Sequence, residues 1–158
     1  MGLQSAVRAA QGLLIGVGSL VLAFPACAHL GGPYASVEAD SVRLGAALQS
    51  TATATHSVHA LTLANHGQIK EFTGAGAGAV FAVTWRGAGR PDLRSLLGEH
   101  FQKLQADNVR PGPRSRRQLS VHRSDLVIVT GGHPGGFWGV AFLPQQIPAD
   151  FPSGELRN

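Results

Sequence analysis

The most regular hydrophobic pattern in the chain lies between residues 80 and 104. Residues 80–85 alternate, which places Phe81, Val83 and Trp85 on one side of a strand, and β-branched and aromatic residues suit such a pleated surface. After a break rich in Gly and Pro, apolar residues recur at helical spacing: Leu93, Leu96, Leu97, Phe101 and Leu104. The pattern predicts a buried strand and then an amphipathic helix over residues 91–105 that packs on the sheet.

Weaker patterns predict the other elements. Five segments have strand-like composition and form two hairpins and one short strand: residues 56–63 with 68–73, residues 126–130 with 137–143, and residues 119–122. Residues 36–48 predict a weak helix, and residues 50–55 predict an extended linker. Strand-rich runs with a helix between them indicate an α+β fold. We expect an antiparallel sheet of five or six strands with one main amphipathic helix packed on one face.

The first 28 residues have the pattern of a signal peptide. Arg8 precedes an apolar run over residues 13–24, and Ala26-Cys27-Ala28 is a small-x-small cleavage site. The apolar run is shorter than the roughly 20 residues that a membrane-spanning helix needs. The sequence therefore predicts cleavage near Ala28 and a periplasmic or secreted protein. Residues 29–158 would form a single α+β domain, with an irregular Pro-containing tail from about residue 144.

Cys27 is the only cysteine of the chain and lies inside the predicted signal peptide. The mature chain is therefore expected to have no thiol for disulfides, catalysis or metal binding. In an alternative reading, Cys27 is the lipidated first residue of a lipoprotein. The preceding Phe24-Pro25-Ala26 fits the usual apolar-small-small sequence poorly, so soluble export is the preferred prediction.

The formal net charge of +4 becomes +3 once Arg8 is removed, and the excess lies after the predicted helix. Five arginines occur with no acidic residue between Asp107 and Asp125: Arg110, Arg114, Arg116, Arg117 and Arg123. Such a run is most often a solvated loop, but it can also bind anionic lipid or polysaccharide. Nucleic acid is not expected as a partner, because an exported protein rarely meets it.

An ordered set of short segments resembles a known family. The set includes LGG at 30–32, VFAVTW at 80–85, DLVIVTGGH at 125–133 and AFLP at 141–144. In this order the segments resemble the bacterial exported family catalogued as domain of unknown function 2844. The resemblance implies an exported proteobacterial protein without an assigned activity, and it supplies no catalytic residue. The chain departs from the family pattern at residues 69–72, where a Val-Arg-Glu-Tyr-like segment is usual. It departs again at Pro134-Gly135, where bulkier residues are usual.

No motif in the sequence identifies a reaction. A hydrolase needs a nucleophile, a base and an orienting group that converge in space. Four residues have suitable side chains, but no Gly-x-Ser-x-Gly segment presents a serine: Asp92, Ser124, Asp125 and His133. The sequence therefore favours a protein that is not an enzyme.

A copper site is the sharpest chemical alternative. Cleavage after Ala28 would leave His29 with a free α-amine, and this amine, its imidazole and a second histidine form a nitrogen set that Cu(II) accepts. The other six histidines show no ligand spacing, so no cofactor or metal is expected. His56 and His59 are three residues apart, which on a strand places them on opposite faces and argues against a shared metal.

The best candidate for a binding surface combines aromatic residues with arginine, because both are common interface anchors. Trp85-Arg86 and Phe137-Trp138 have this composition, although the apolar neighbours of Trp85 and Trp138 favour the core for both. We expect a non-catalytic envelope or secreted protein that binds an unidentified partner. The alternatives are a metal-binding protein or enzyme that uses His29, and an anion- or lipid-surface-binding module. The candidate contacts are Trp85, Arg86, Arg114, Arg116 and Arg117.

The predicted helix leads to a first test. Leu97 lies in the middle of its apolar stripe. Leu97→Asp would bury a charge without a partner, so we expect this variant to lose soluble expression. Gln102→Asp, outside the stripe, is the control and should remain soluble. A soluble, folded Leu97→Asp protein would show that the stripe is not buried.

Overall fold

The structure is a computed structural model that describes residues 29–76, 78–109 and 118–157. The predicted signal peptide with Cys27 lies outside these residues. The described chain forms a seven-stranded antiparallel sheet with the order β1-β2-β3-β4-β7-β6-β5. The strands are β1 (Ala47–Ala52), β2 (His56–Thr62), β3 (Gln68–Gly74), β4 (Val80–Gly87), β5 (Gln118–His122), β6 (Val127–His133) and β7 (Gly136–Phe142).

Both predicted hairpins are confirmed. β2 and β3 pair in register through a turn in which Asn65 Oδ1 accepts a hydrogen bond from the Gly67 N–H at 2.9 Å. β6 and β7 pair from Val127 with Phe142 to His133 with Gly136, so Pro134 and Gly135 alone form the turn. The strands thus continue further into the Gly-rich segment than the composition suggested.

The strand count is where the fold differs from the prediction of five or six. β1 occupies a stretch that the sequence assigned to the end of a helix and to a linker. Apart from the half-buried Leu48, its residues are small or polar and exposed, so β1 lacks the apolar alternation of a half-buried strand. Hydrogen bonding to β2, from Ala47 with Thr62 to Ala52 with Ser57, makes it the edge strand.

The predicted 91–105 helix is two helices, α2 (Leu93–Leu97) and α3 (His100–Asp107). Asp92 caps α2, since its Oδ1 accepts from the Arg94 N–H at 3.0 Å. Gly98 separates the two helices with a φ of +55°, a conformation that side-chain-bearing residues rarely adopt. A Cβ at Gly98 would also collide with the ring of His29. The break therefore results from both backbone conformation and crowding.

One face of the sheet, called here the helix face, is covered by α2, α3 and α1 (Ala35–Leu44). Trp85, Val83 and Ile128 from the strands form one core with Leu96 and Leu97 from α2. α1 ends at Gly45, whose left-handed conformation and N–H bonds to Ser41 and Val42 terminate the helix. Among the described residues, no helix is long and apolar enough to cross a membrane.

The opposite face, called here the tail face, is covered by the Pro-containing C-terminal segment. Phe151 packs edge-on against Phe72 and Phe81, with ring centroids 5.7 and 5.1 Å apart. The prediction that Phe81 lies on the same side as Trp85 is wrong, because an irregularity in the register between β3 and β4 leaves Phe81 unpaired and turns it to the tail face. Ile147 and Leu156 flank this cluster, and Leu156 lies in the 3-10 turn Ser153–Leu156. The segment contains two 3-10 turns, Pro144–Gln146 and Ser153–Leu156, and it supplies a second small core that the sequence did not reveal.

A close packing contact joins β4 to β7. Trp85 lies opposite Gly139, and a Cβ at Gly139 would overlap with ring atoms of Trp85. Gly139→Ala should therefore lower the free energy of unfolding by about 1–3 kcal/mol, the usual cost of overpacking a core. Gly74→Ala is the matched control, because nothing lies within 4 Å of its added Cβ. Urea unfolding of both variants measures the difference, and equal midpoints would contradict this packing.

Candidate functional site

The strand alternation separates Trp85 from Arg86. Trp85 is only 2% exposed and belongs to the helix-face core, whereas Arg86 points to the tail face and is exposed. As a binding residue Trp85 is therefore corrected to a core residue, since no partner can reach it. Arg86 stays accessible.

Phe137 and Trp138 separate in the same way. Trp138 lies directly across from Arg86 on the tail face and is 38% exposed. Phe137 belongs to the other face, where its ring centroid lies 5.9 Å from Cζ of Arg90. The expectation that both tryptophans lie in the core is right for Trp85 and wrong for Trp138. The structure thus brings one residue of each predicted pair together, Arg86 and Trp138.

Arg86 and Trp138 line a cavity of about 620 Å³ on the part of the tail face that Phe151 does not cover. We call it the sheet groove. Its lining combines one exposed aromatic residue, three aliphatic side chains and two arginines: Trp138, Val129, Val140, Leu156, Arg86 and Arg157. Gly136 and Phe137, the first two residues of β7, border the groove, although the ring of Phe137 lies against Arg90. Such a lining is mainly apolar, with few polar groups, as in many ligand-binding clefts.

A smaller cavity of about 180 Å³, called here the basic pocket, adjoins the sheet groove. Arg86 and Arg157 line both cavities, and Lys70 adds a third cation. Gln68 and Thr84 complete the lining with an amide and a hydroxyl. In the described part of the chain, no Asp or Glu lines either cavity, so their combined charge favours an anion.

The predicted basic contacts after the helix are placed only in part. Arg114, Arg116 and Arg117 lie outside the described residues. Arg123 forms two hydrogen bonds to Asp107, from Nε at 3.0 Å and from Nη2 at 2.5 Å. These bonds hold the pKa of Asp107 below its ordinary value and raise the pKa of Arg123. Arg123 is therefore engaged in an ion pair and is a weak candidate for contacting a ligand.

A second polar cluster lies beneath α1 on the helix face. Asp40 and Glu71 are 0% and 1% exposed, and Asp40 Oδ1 accepts from Arg43 Nε at 3.0 Å. Burial, and then the nearby charge of Asp40, raise the pKa of Glu71 to about 8. Arg43 acts in the opposite direction but does not cancel this effect. Glu71 is therefore largely protonated at neutral pH.

His59 lies beside this cluster with both ring nitrogens hydrogen-bonded. Its Nδ1 is 2.8 Å from Ser50 Oγ, and its Nε2 is 3.0 Å from Thr73 Oγ1. Burial lowers the pKa of His59, which keeps the ring neutral. A cavity of about 240 Å³ is lined by His59 together with Ser50 and its neighbours on the edge strand β1. Both ring nitrogens of this buried imidazole therefore have hydroxyl partners.

The predicted separation of His56 from His59 is confirmed. His56 faces the tail side, where its ring centroid is 4.8 Å from that of Phe151 and its Nε2 is 3.2 Å from Glu155 Oε2. His59 faces α1, where its ring centroid is 5.0 Å from that of Tyr34. The sheet thus separates these two imidazoles.

The other chemical candidates do not converge in the described chain. Ser124 and Asp125 lie in the bend before β6, His133 is the last residue of β6 at its other end, and Asp92 caps α2. Asp125 accepts from Lys103 Nζ at 2.8 Å, so Lys103 pairs with Asp125 and not along its own helix with Glu99. The ring of His29 packs against Gly98. Within residues 29–76, 78–109 and 118–157, no group of three or more His, Cys, Asp or Glu is arranged to hold a metal ion.

Sequence reasoning missed several residues that line the two cavities: Lys70, Val129, Val140, Leu156 and Arg157. The apolar composition of residues 126–130 is typical of a strand buried on both faces, so it gives no sign that Val129 lines a cavity. Only strand register places Lys70 beside Thr84 and Val140 beside Val129. The alternation of the polar residues Gln68 and Lys70 predicts that their side chains are exposed. It does not predict which residues lie next to them.

The raised pKa of Glu71 predicts a pH-dependent stability. The folded chain holds this proton up to about pH 8, whereas the unfolded chain releases it near the ordinary value of 4.5. The stabilisation is present below pH 4.5 and is lost as pH rises towards 8, by up to about 1.4 kcal/mol per pH unit. Glu71→Gln removes this ionisation and should unfold at a higher urea concentration than the parent at pH 8.

Burial lowers the pKa of His59, so its contribution to stability increases as pH rises, opposite to that of Glu71. The parent and the Glu71→Gln variant must therefore be compared at each pH. Glu99→Gln, which changes an exposed carboxylate, is the control and should follow the parent profile. If Glu71→Gln also follows the parent profile, Glu71 ionises normally in the folded chain.

Comparison with protein families gives a match to the family described as "Protein of unknown function (DUF2844)" over residues 26–156. This range contains the whole sheet, the three helices and every residue of the two cavities except Arg157. Comparisons with curated proteins and with solved structures give no match. Because the match spans most of the sequence, the chain belongs to the DUF2844 family, whose function is unknown.

Proposed function

We propose that the protein is an exported, non-catalytic binding protein of the envelope or the extracellular space, and that its partner binds in the sheet groove and the basic pocket. One observation carries the proposal. The uncovered part of the tail face presents Trp138 and Arg86 side by side. Aromatic residues and arginine are the side chains that most often anchor a partner.

The exposure of Trp138 supports this role. Among the described residues, the exposed large hydrophobic side chains are Val42, Val109 and Trp138. Val109 lines another cavity, which holds Arg90 and Arg94 but also the carboxylate of Asp92. Trp138 lines the sheet groove, where the charged lining residues that the structure describes are both arginines. When a partner covers an exposed tryptophan, removal of its apolar area from water stabilises the complex.

The charges around the groove indicate the sign of the partner. Lys70, Arg86 and Arg157 contribute three positive charges, and no carboxylate in the described chain lines either cavity. An anionic group would therefore be attracted to the basic pocket and oriented there. This combines the partner-binding hypothesis with the anion-binding alternative at a single surface.

The position of the site on the sheet also supports binding. Arg86 and Trp138 are on β4 and β7, which are paired with each other and lie inside the sheet. Side chains that project from paired strands are held more firmly than those on loops, which reduces the entropy lost when a partner binds. Export itself rests on the sequence of residues 1–28, and the arginines at 114, 116 and 117 remain candidate further contacts.

The test is capture of partners from an envelope extract by the immobilised mature chain. Arg86→Ala/Trp138→Ala should lose the species that the parent retains, because it removes both anchors while changing only exposed side chains. Val42→Ala/Arg94→Ala is the matched control, since it removes an exposed apolar residue and an exposed arginine outside the two cavities. Thermal unfolding of both double variants checks that each of them is folded.

Mass spectrometry of the retained proteins and lipids compares the three samples. Retention of the same species by Arg86→Ala/Trp138→Ala would place the binding surface elsewhere. Loss from both double variants alike would show that the effect is not specific to the groove.

A further inference from the structure

The chemistry of the tail face changes in one direction across the sheet. Lys70 on β3 is paired with Thr84 on β4, Thr84 with Val140 on β7, and Val140 with Val129 on β6. This row therefore runs from an ammonium through a hydroxyl to two aliphatic side chains. With strands about 4.8 Å apart, the three steps span about 14 Å.

The neighbouring row shows the same gradient. Gln68 on β3 is paired with Arg86 on β4, and Arg86 with Trp138 on β7. An amide and a guanidinium thus stand over β3 and β4, and an indole stands over β7. The two rows together place the basic pocket at one end of the site and the apolar part of the sheet groove at the other.

The C-terminal segment forms a side wall of the site. Leu156 and Arg157 line the groove, and Arg157 also lines the basic pocket. Leu156 belongs to the 3-10 turn Ser153–Leu156, which contacts β4. The site is thus a trough. Its wall places Leu156 beside the apolar part of the groove and Arg157 beside the basic pocket, which matches the gradient of the sheet.

This arrangement fits a ligand with a charged end and an apolar end. A carboxylate or phosphate can accept hydrogen bonds from Arg86, Arg157 and Lys70, and such charge-assisted bonds are the strong ones. An alkyl chain would bury itself against Val129, Val140 and Trp138, where it gains about 0.8 kcal/mol per buried CH₂. The volume of about 620 Å³ lies in the range of small-molecule sites.

Other occupants fit less well. A peptide strand would bring backbone N–H and C=O groups over valines that cannot hydrogen-bond them, and burying such groups without partners is costly. A bilayer surface is flat, so it would meet the rim of a trough and not its lining. A cationic amphiphile would place its head among three positive charges.

From these observations we infer that the ligand of the site is a single-chain amphiphile with one anionic head group. The inference rests on the function proposed above and specifies its ligand. The head group lies in the basic pocket between Arg86, Arg157 and Lys70, and the chain lies along Val140 and Val129 beside Trp138.

Isothermal titration calorimetry of residues 29–158 with laurate, below the concentration at which it forms micelles, tests the inference. We expect laurate to bind with one-to-one stoichiometry. Butyrate keeps the head without the chain, and dodecyltrimethylammonium keeps the chain with a cationic head, and neither should bind measurably. Binding of the cationic amphiphile as tight as that of laurate would overturn the inference.

Variants test the two ends of the site separately. Lys70→Ala/Arg157→Ala should weaken laurate binding about tenfold or more, the usual effect of losing hydrogen bonds to a charged group. Val129→Glu should weaken it at the other end by placing a carboxylate along the chain. Arg94→Ala, outside both cavities, should bind as the parent does. Unchanged binding by both cavity variants would overturn the inference.

The intrinsic fluorescence provides a second readout. Because Trp85 is buried and Trp138 is exposed, laurate should shift the emission of Trp138 to shorter wavelength. Trp138→Phe should remove this shift while calorimetry still detects binding. A shift that persists in Trp138→Phe would mean that the ligand lies elsewhere.

The results distinguish this inference from the function on which it rests. If laurate does not bind but Arg86→Ala/Trp138→Ala still loses captured species, the ligand class is wrong and the binding surface stands. If neither effect occurs, both proposals fail. If the chain binds vesicles of anionic lipid but not free laurate, the site meets a membrane surface and the single-chain ligand is wrong.

Discussion

The structure depends on one constraint, which is the burial of β4 on both faces. Every residue from Val80 to Trp85 is buried. A strand in this position must be paired on both sides and covered above and below, because its backbone groups need hydrogen bonds and its side chains need apolar contacts. β3 and β7 provide the pairing. Gly139 completes it, since only a residue without a side chain leaves room for the ring of Trp85.

The two covers of β4 differ in extent. α1, α2 and α3 pack over the helix face, whereas on the tail face a short irregular segment covers Phe72 and Phe81 through Phe151. Neighbouring positions of the same face, including Trp138, lie beyond this cover. The sheet groove is therefore a consequence of incomplete coverage. Because β3 and β4 contribute cations there and β6 and β7 contribute aliphatic residues, the open area has a charge and a direction.

Polar groups are also buried inside the fold. Asp40 and Glu71 meet beneath α1, where two ionised carboxylates would repel each other in a medium that solvates them poorly. Retention of a proton by Glu71 relieves this repulsion, and the bonds from Arg43 stabilise Asp40. The attachment of α1 to the sheet is thus linked to pH, while the groove on the opposite face has no buried carboxylate among its lining residues.

The sequence by itself determined the strands with strong alternation, both hairpins, the apolar stripe of α2 and α3, and the family. These features depend on local periodicity and turn chemistry, which are visible along the chain. Tertiary structure decided the rest. β1 is a strand only because it pairs with β2, and the ring of His29 leaves no room for a side chain at Gly98, where the helix breaks. Of the candidate site, the sequence identified Arg86 and Trp138. Its other residues come together through strand register and the returning tail, which are contacts between segments far apart in sequence that no local pattern records.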